Sequence, residues 1–429
     1  MKTALYLLFC IWFFLPCTAY AYLDPGTGNA LVYVVMSFIG AAAFSLKGIV
    51  YKLLGKSAGN DDASDEYVRN NIVIFNEGKM YWYTFKPVVE ALIAQKVHFN
   101  YYTMDIHDPC LEIDNVYLHN QYIGNGNRAY VKIGTLQANV VLSTTPNIGT
   151  PGFPIPRSPN IKKLVHVFHA FSDMTVYHIG SLDNYDAVLM VGEFERDIIR
   201  NLETVRHLPA KELVVAGLPY MDELAKEKRT ADEGISRTGK PTVLIAPSWS
   251  KKGCLMEYGT EFIADIARAG YNVIVRPHPQ SLKVEKELIA NAVELLSEFN
   301  NVVWDYDIDG SASMGRADIM ISDASYVRLD FLLLYNKPVI TLEIPFESMD
   351  IFERAYIGES WIENRMAELG SVLNHDTICN IVNEIEKTLS FSTSESIQQF
   401  RNKNLSNFMH SGEVIAEYLI DKGRKNSEV

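Results

Sequence analysis

The stretch Ala317–Leu342, ADIMISDASYVRLDFLLLYNKPVITL, restricts the fold more than any other part of the chain. Asp318–Ser322 reads as a short buried strand and Asp323-Ala324-Ser325 as a polar turn. Tyr326–Tyr335 reads as a helix, Asn336-Lys337-Pro338 as a break, and Val339–Leu342 as a second strand. Two strands of one sheet joined through a crossover helix lie parallel, and a parallel sheet needs helices over both faces. The polar turn then falls at the carboxyl end of a strand and the start of a helix, where such sheets present ligand sites. Backbone N–H groups and hydroxyls at that point suit a phosphate. Read alone, Asp323 and Ser325 are ordinary helix-cap residues, the default at a helix start.

The same alternation recurs upstream. Ile72–Phe75, Val97–Tyr101, Val140–Ser143, Leu164–Phe168, Ala187–Val191 and Leu213–Ala216 are β-rich runs, with helical patterns at Thr84–Gln95 and Glu193–Leu202. After a charged, small-residue stretch the pattern restarts with strands at Thr242–Ala246, Asn272–Val275 and Val302–Trp304 and helices at Glu261–Ala269 and Lys283–Glu298. The expected fold class is therefore α/β with two Rossmann-like domains, residues 66–224 and 241–390. Residues 225–240 link them, and C-terminal helices occupy 391–429.

Several strand ends deliver polar groups. His169 directly follows Leu164–Phe168, and a neutral imidazole there is placed to take a proton from a hydroxyl. Arg276 and His278 bracket Pro277 after Asn272–Val275; the guanidinium is a fork of donors for phosphate oxygens, and His278 can donate to the same anion. Ser248 ends Thr242–Ala246. Arg276, His278 and Ser248, in the same sheet as Ser322, Asp323 and Ser325, form an expected anion-binding rim.

The net charge of −13 argues against a nucleic-acid partner. Cys10, Cys17, Cys110, Cys254 and Cys379 form no CxxC pair or ladder, so neither a disulfide framework nor a structural zinc site is expected. At the start, Ala4–Leu15 and Ala19-Tyr20-Ala21 resemble a secretory signal. A second apolar run, Ala30–Leu46, continues past Lys47 to Leu54, so residues 1–56 are expected to hold a signal-like segment and a transmembrane helix, with residues 57–65 as a linker. Lys47, Lys52 and Lys56 flank its end and would put the rest on the cytoplasmic side of the inner membrane.

Four motifs occur in order. They are Gly217-Leu218-Pro219-Tyr220-Met221-Asp222, Ala246-Pro247-Ser248-Trp249, Arg276-Pro277-His278-Pro279, and Ser322-Asp323-Ala324-Ser325-Tyr326 followed by Asp330-Phe331 and Lys337-Pro338. Over roughly Lys162 to Leu342 the chain resembles the CDP-glycerol glycerophosphotransferase family, the enzymes of teichoic-acid-type polymers. The resemblance implies a GT-B arrangement with the active site between the two domains. It also implies transfer of glycerol phosphate, or a related polyol phosphate, from a CDP-linked donor to a lipid-linked or polymeric acceptor at the membrane, with release of CMP.

By the same resemblance His169 is the base, and Arg276 and His278 face the pyrophosphate. Ser322, Asp323 and Ser325 hold phosphate and glycerol, and Ser248 lines the nucleotide pocket. Neither a metal nor a cofactor is implied. The chain departs from the family where Ala170 and Phe171 replace glycine and threonine, at Ser250, and at Tyr326; Phe171 is expected to remove a hydroxyl from the donor or acceptor site. A glycosyltransferase or sugar-nucleotide epimerase acting on a UDP-linked substrate, and a non-catalytic nucleotide-binding descendant, are the alternatives.

Overall fold

Apolar strands buried on both faces build two parallel sheets. The structure, a computed structural model, describes residues 71–231, 239–249, 253–307, 310–344, 352–391 and 394–424. The first sheet comprises β1 (Ile72–Asn76), β2 (Phe99–Thr103), β3 (Leu118–Tyr122), β4 (Ala138–Ser143), β5 (Ile161–Val167), β6 (Ala187–Met190) and β7 (Glu212–Val215). Its strand order is β3-β2-β1-β4-β5-β6-β7. The second comprises β8 (Thr242–Ala246), β9 (Asn272–Val275), β10 (Val302–Trp304), β11 (Ile319–Ser322), β12 (Val339–Leu342) and β13 (Gly370–Leu373), in the order β10-β9-β8-β11-β12-β13. Every pairing within the two sheets is parallel.

The two-residue period of a strand decides which layer each side chain joins. Ile72 and Ile74 pack under helix Trp82–Ala94 and the last helix, Ser411–Arg424, while Val73 and Phe75 point to the opposite layer. In β8, Val243 and Ile245 join one layer and Leu244 and Ala246 the other. One apolar cluster includes both Val73 of the first sheet and Leu244 of the second. Both sheets lie in a single unit, Tyr67–Val429.

The fold expected from the sequence needs correction at three points. The strands β3 and β13 were not expected. β3, LHNQY, is a polar edge strand whose only fully buried residue is Leu118, so it lacks the apolar run of a central strand. The expected transmembrane region is not carried forward. No helix among the described residues is long and apolar enough to cross a membrane, and residues 1–56, on which that expectation rested, lie outside the described residues. The longest described helix, Ser411–Arg424, has 14 residues; at ~1.5 Å per residue it spans about 21 Å, short of a ~30 Å hydrocarbon core.

That last helix is fastened by the Gly217–Asp222 motif. Gly217 has φ +91° and faces the Ser406 carbonyl so closely that a Cβ would lie 2.3 Å from it. The buried Asp222 carboxylate accepts from the N–H groups of Met409 (2.7 Å) and Ser411 (3.0 Å) and from the Ser411 hydroxyl, capping the helix start. Asp222→Ala strands these donors and is expected to cost about 1–3 kcal/mol. Urea unfolding measures this, and an unchanged midpoint would show that the clamp adds nothing.

Candidate active site

Each sheet reverses its strand order once, and parallel sheets bind ligands at the carboxyl side of that switch point. In the first sheet the switch lies between β1 and β4, in the second between β8 and β11. The loops leaving these and neighbouring strands line one cleft of about 830 Å³. Lys79 and Tyr81 enter it from beyond β1, and His169 from beyond β5. From the second sheet come Pro247 after β8, Arg276 and His278 after β9, and Ser325 and Tyr326 after β11.

His169 is held from two sides. Its Nδ1 lies 3.0 Å from Thr144 Oγ1, and its ring meets Tyr81 edge-on at 5.0 Å. Burial lowers its pKa from the usual histidine value, which favours the neutral ring. His278 Nδ1 accepts from the Gln280 backbone N–H at 3.1 Å, so the neutral ring carries its proton on Nε2 and can donate there. Burial lowers the His278 pKa, opposed by the charges of Asp323 and Glu285. Arg276 is steered by Asp305, Nη1 to Oδ2 at 2.7 Å.

His169, Arg276, His278 and Ser325 thus meet at the cleft; Ser248, Ser322 and Asp323 do not line it. Ser322 Oγ donates to the Ala246 carbonyl at 2.6 Å, tying β11 to β8. The buried Asp323 carboxylate accepts from the backbone N–H groups of Ser248 (2.9 Å), Cys254 (2.8 Å) and Ser325 (3.1 Å). These residues support the rim from behind. Phe171 also departs from expectation: at 1% exposure it packs against Phe194 and Phe400, and it is Ala170 that lines the cleft.

Asp330 is a cleft residue outside the expected site. It lies four residues after Tyr326 on the same helix, so the two share a face; that spacing was the available signal. The carboxyl accepts from the Tyr220 hydroxyl at 3.1 Å, and burial pushes its pKa up to about 7 despite that bond. Among the described residues no group of three or more His, Cys, Asp or Glu side chains is arranged to hold a metal ion.

Residues 176–350 match the model of the CDP-glycerol:poly(glycerophosphate) glycerophosphotransferase family. The match spans less than half of the chain and supports a glycerophosphotransferase-like transferase. Among solved structures it is similar to the wall teichoic acid polymerase TagF, at 14% identity and a TM-score of 0.50, over 91% of this chain and 99% of that one. It is also similar to the UDP-GlcNAc 2-epimerase of Methanocaldococcus jannaschii, at 14% identity and a TM-score of 0.53, over 82% of this chain and 99% of that one. The Neisseria meningitidis UDP-GlcNAc 2-epimerase gives 14% identity and a TM-score of 0.52, over 83% and 99%. At such identities the likeness shows the fold, which is GT-B-like. No curated protein sequence matches the chain.

The buried Asp330 carboxyl makes stability depend on pH. Its folded pKa lies above the ordinary value of 3.8, so between these values the native state binds more protons than the unfolded chain. Stability from this group is complete below the lower value and falls as pH rises toward about 7. Asp330→Asn removes that dependence. The melting temperature of the variant minus that of the wild type is expected to grow from about pH 5 to about pH 8. A constant difference would show that Asp330 is not held protonated.

Proposed function

We propose that the protein transfers glycerol phosphate, or a related polyol phosphate, from a CDP-linked donor to a hydroxyl of a lipid-linked or polymeric acceptor, releasing CMP. The observation that supports this best is the meeting of His169 from one sheet with Arg276, His278 and Ser325 from the other at a single cleft. The acceptor oxygen attacks the β-phosphorus, the bond from that phosphorus to the bridging oxygen breaks, and CMP leaves with the electron pair.

In this reading the Nδ1–H of His169 donates to Thr144 Oγ1, and Nε2 takes the acceptor's proton. Arg276 and the Nε2–H of His278 stabilise the charge that grows on the departing CMP, and the helix start at Ser325 and Tyr326 faces the transferred phosphate. Positioning and charge stabilisation account for most of the rate in such chemistry. We also assign the reaction to the cytoplasmic side of the inner membrane, where nucleotide-linked donors are found; cell fractionation checks this.

Turnover of CDP-glycerol, CDP-ribitol and UDP-GlcNAc by the purified protein tests the proposal. A CDP-linked donor is expected to yield CMP, and His169→Ala and His278→Ala are each expected to slow this by ~10²–10⁴-fold. Because burial lowers the His169 pKa, the acid limb of the rate profile is expected below the ordinary histidine value of 6.5. Preference for UDP-GlcNAc, or full activity in both variants, would refute the assignment.

A further inference from the structure

A second groove lies one strand along from His169. In the first sheet β6 is the neighbour of β5, and adjacent strands stand ~4.8 Å apart. Glu193 and Phe194, beyond β6, line this groove of about 590 Å³ together with residues of helices Glu363–Leu369 and Ser394–Asn404. A Cβ at Gly192 would lie 2.0 Å from the Asn404 carbonyl oxygen, so this glycine lets the end of the second helix seat directly on the β6 loop.

Three half-buried rings line the groove. Phe194 stacks on Trp361 at 4.2 Å between centroids, and Phe400 lies 6.0 Å from Trp361. Ser396, Gln399, Phe400 and Lys403 recur at helical spacing and share one face of helix Ser394–Asn404. The two acids of the groove are each matched by a guanidinium: Arg365 donates to Glu368 at 2.6 Å, and Arg196 to Glu193 at 2.6 and 3.0 Å.

We propose that this groove is a binding site for an uncharged saccharide. The inference goes beyond the transferase reading and does not rest on it. Amide, hydroxyl and carboxylate groups both give and take the hydrogen bonds that sugar hydroxyls form, and aromatic rings accept the C–H side of a sugar. An anion would find Arg365 already occupied by Glu368, and an exposed pairing with Lys403 at the rim is weak. The volume lies in the range of small-molecule sites, ~300–1,000 Å³.

The groove also shares its packing with the loop that carries His169. Phe171, two residues on, meets Phe194 at 5.5 Å and Phe400 at 6.5 Å. The Asp173 carboxylate accepts from Ser360 Oγ and the Ile362 N–H, on either side of Trp361. A sugar held against these rings is thereby anchored beside the main cleft.

Titration of the full chain with N,N′-diacetylchitobiose, followed by calorimetry and tryptophan fluorescence, tests the inference. The disaccharide is expected to bind with a Kd of about 1 mM or tighter and to change the emission. Trp361→Phe keeps a ring in the stack and is expected to remove the emission change while calorimetric affinity stays within ~3-fold. Gln399→Ala, on an exposed helix face, is expected to weaken binding by ~3–10-fold. His278→Ala, in the other cleft, is expected to leave binding unchanged. No binding at about 10 mM, a glycerol phosphate trimer bound as tightly, or an emission change that survives Trp361→Phe overturns the inference. Full affinity in Gln399→Ala or lost affinity in His278→Ala overturns it as well. Because no donor is present, the result is separate from the donor panel that decides the transferase reading.

Discussion

The Asp323 carboxylate is sealed from solvent at the end of β11, and three backbone N–H groups from two different loops point at it. A buried carboxylate is tolerated only where such donors replace its water, so these bonds are strongly coupled. They fix the loop after β8 through Ser248 and Cys254, and the helix start after β11 through Ser325. Pro247, Ser325 and Tyr326 reach the cleft from those two loops. The same charge opposes the burial effect on His278, so one residue influences both the shape and the protonation of the rim.

Further buried carboxylates tie loops of the two sheets together. Asp173, four residues after His169, accepts from Ser360 Oγ at 2.7 Å and the Ile362 N–H at 3.1 Å, joining the first sheet's loops to the segment before β13. Glu353 binds Arg206 at 2.8 Å and the Gly180 N–H at 2.9 Å. A cleft whose halves come from different sheets depends on such ties, because small errors in the separation of reacting groups cost rate steeply.

Much of this was legible in the sequence, and the rest was hidden for identifiable reasons. Apolar runs such as IVIF and VITL announce strands buried on both faces, and β8, β9, β10 and β12 occupy the residues expected. Edge strands escape that signal: β3 is polar, and β13 begins at Gly370, where a Cβ would lie 1.9 Å from the Val339 carbonyl. Polar residues at strand ends mark the rim without saying which way they turn. Ser325 faces the cleft while Ser322 and Asp323 turn behind it, a difference set by the two-residue period of β11 and by the donors around Asp323. Lys337 of the family-like Lys-Pro pair likewise proves structural, its Nζ donating to the carbonyls of Gly315 and Ala317.

Burial acts on the cleft's ionisable groups in opposite directions with one result. It lowers the pKa of His169 and of His278, and raises that of Asp330 to about 7. Desolvation penalises the charged form of acid and base alike, so near neutral pH these walls carry less charge than their residue types suggest. In the proposed reaction Arg276 and Lys79, which line the cleft, face a donor whose pyrophosphate brings negative charge, and in a partly desolvated cleft that attraction is stronger than in water. In the proposed reaction the two histidines need the same neutral state for opposite tasks. The hydrogen bond at Nδ1, to Thr144 in one and from Gln280 in the other, is what allows one ring to accept at Nε2 while the other donates there.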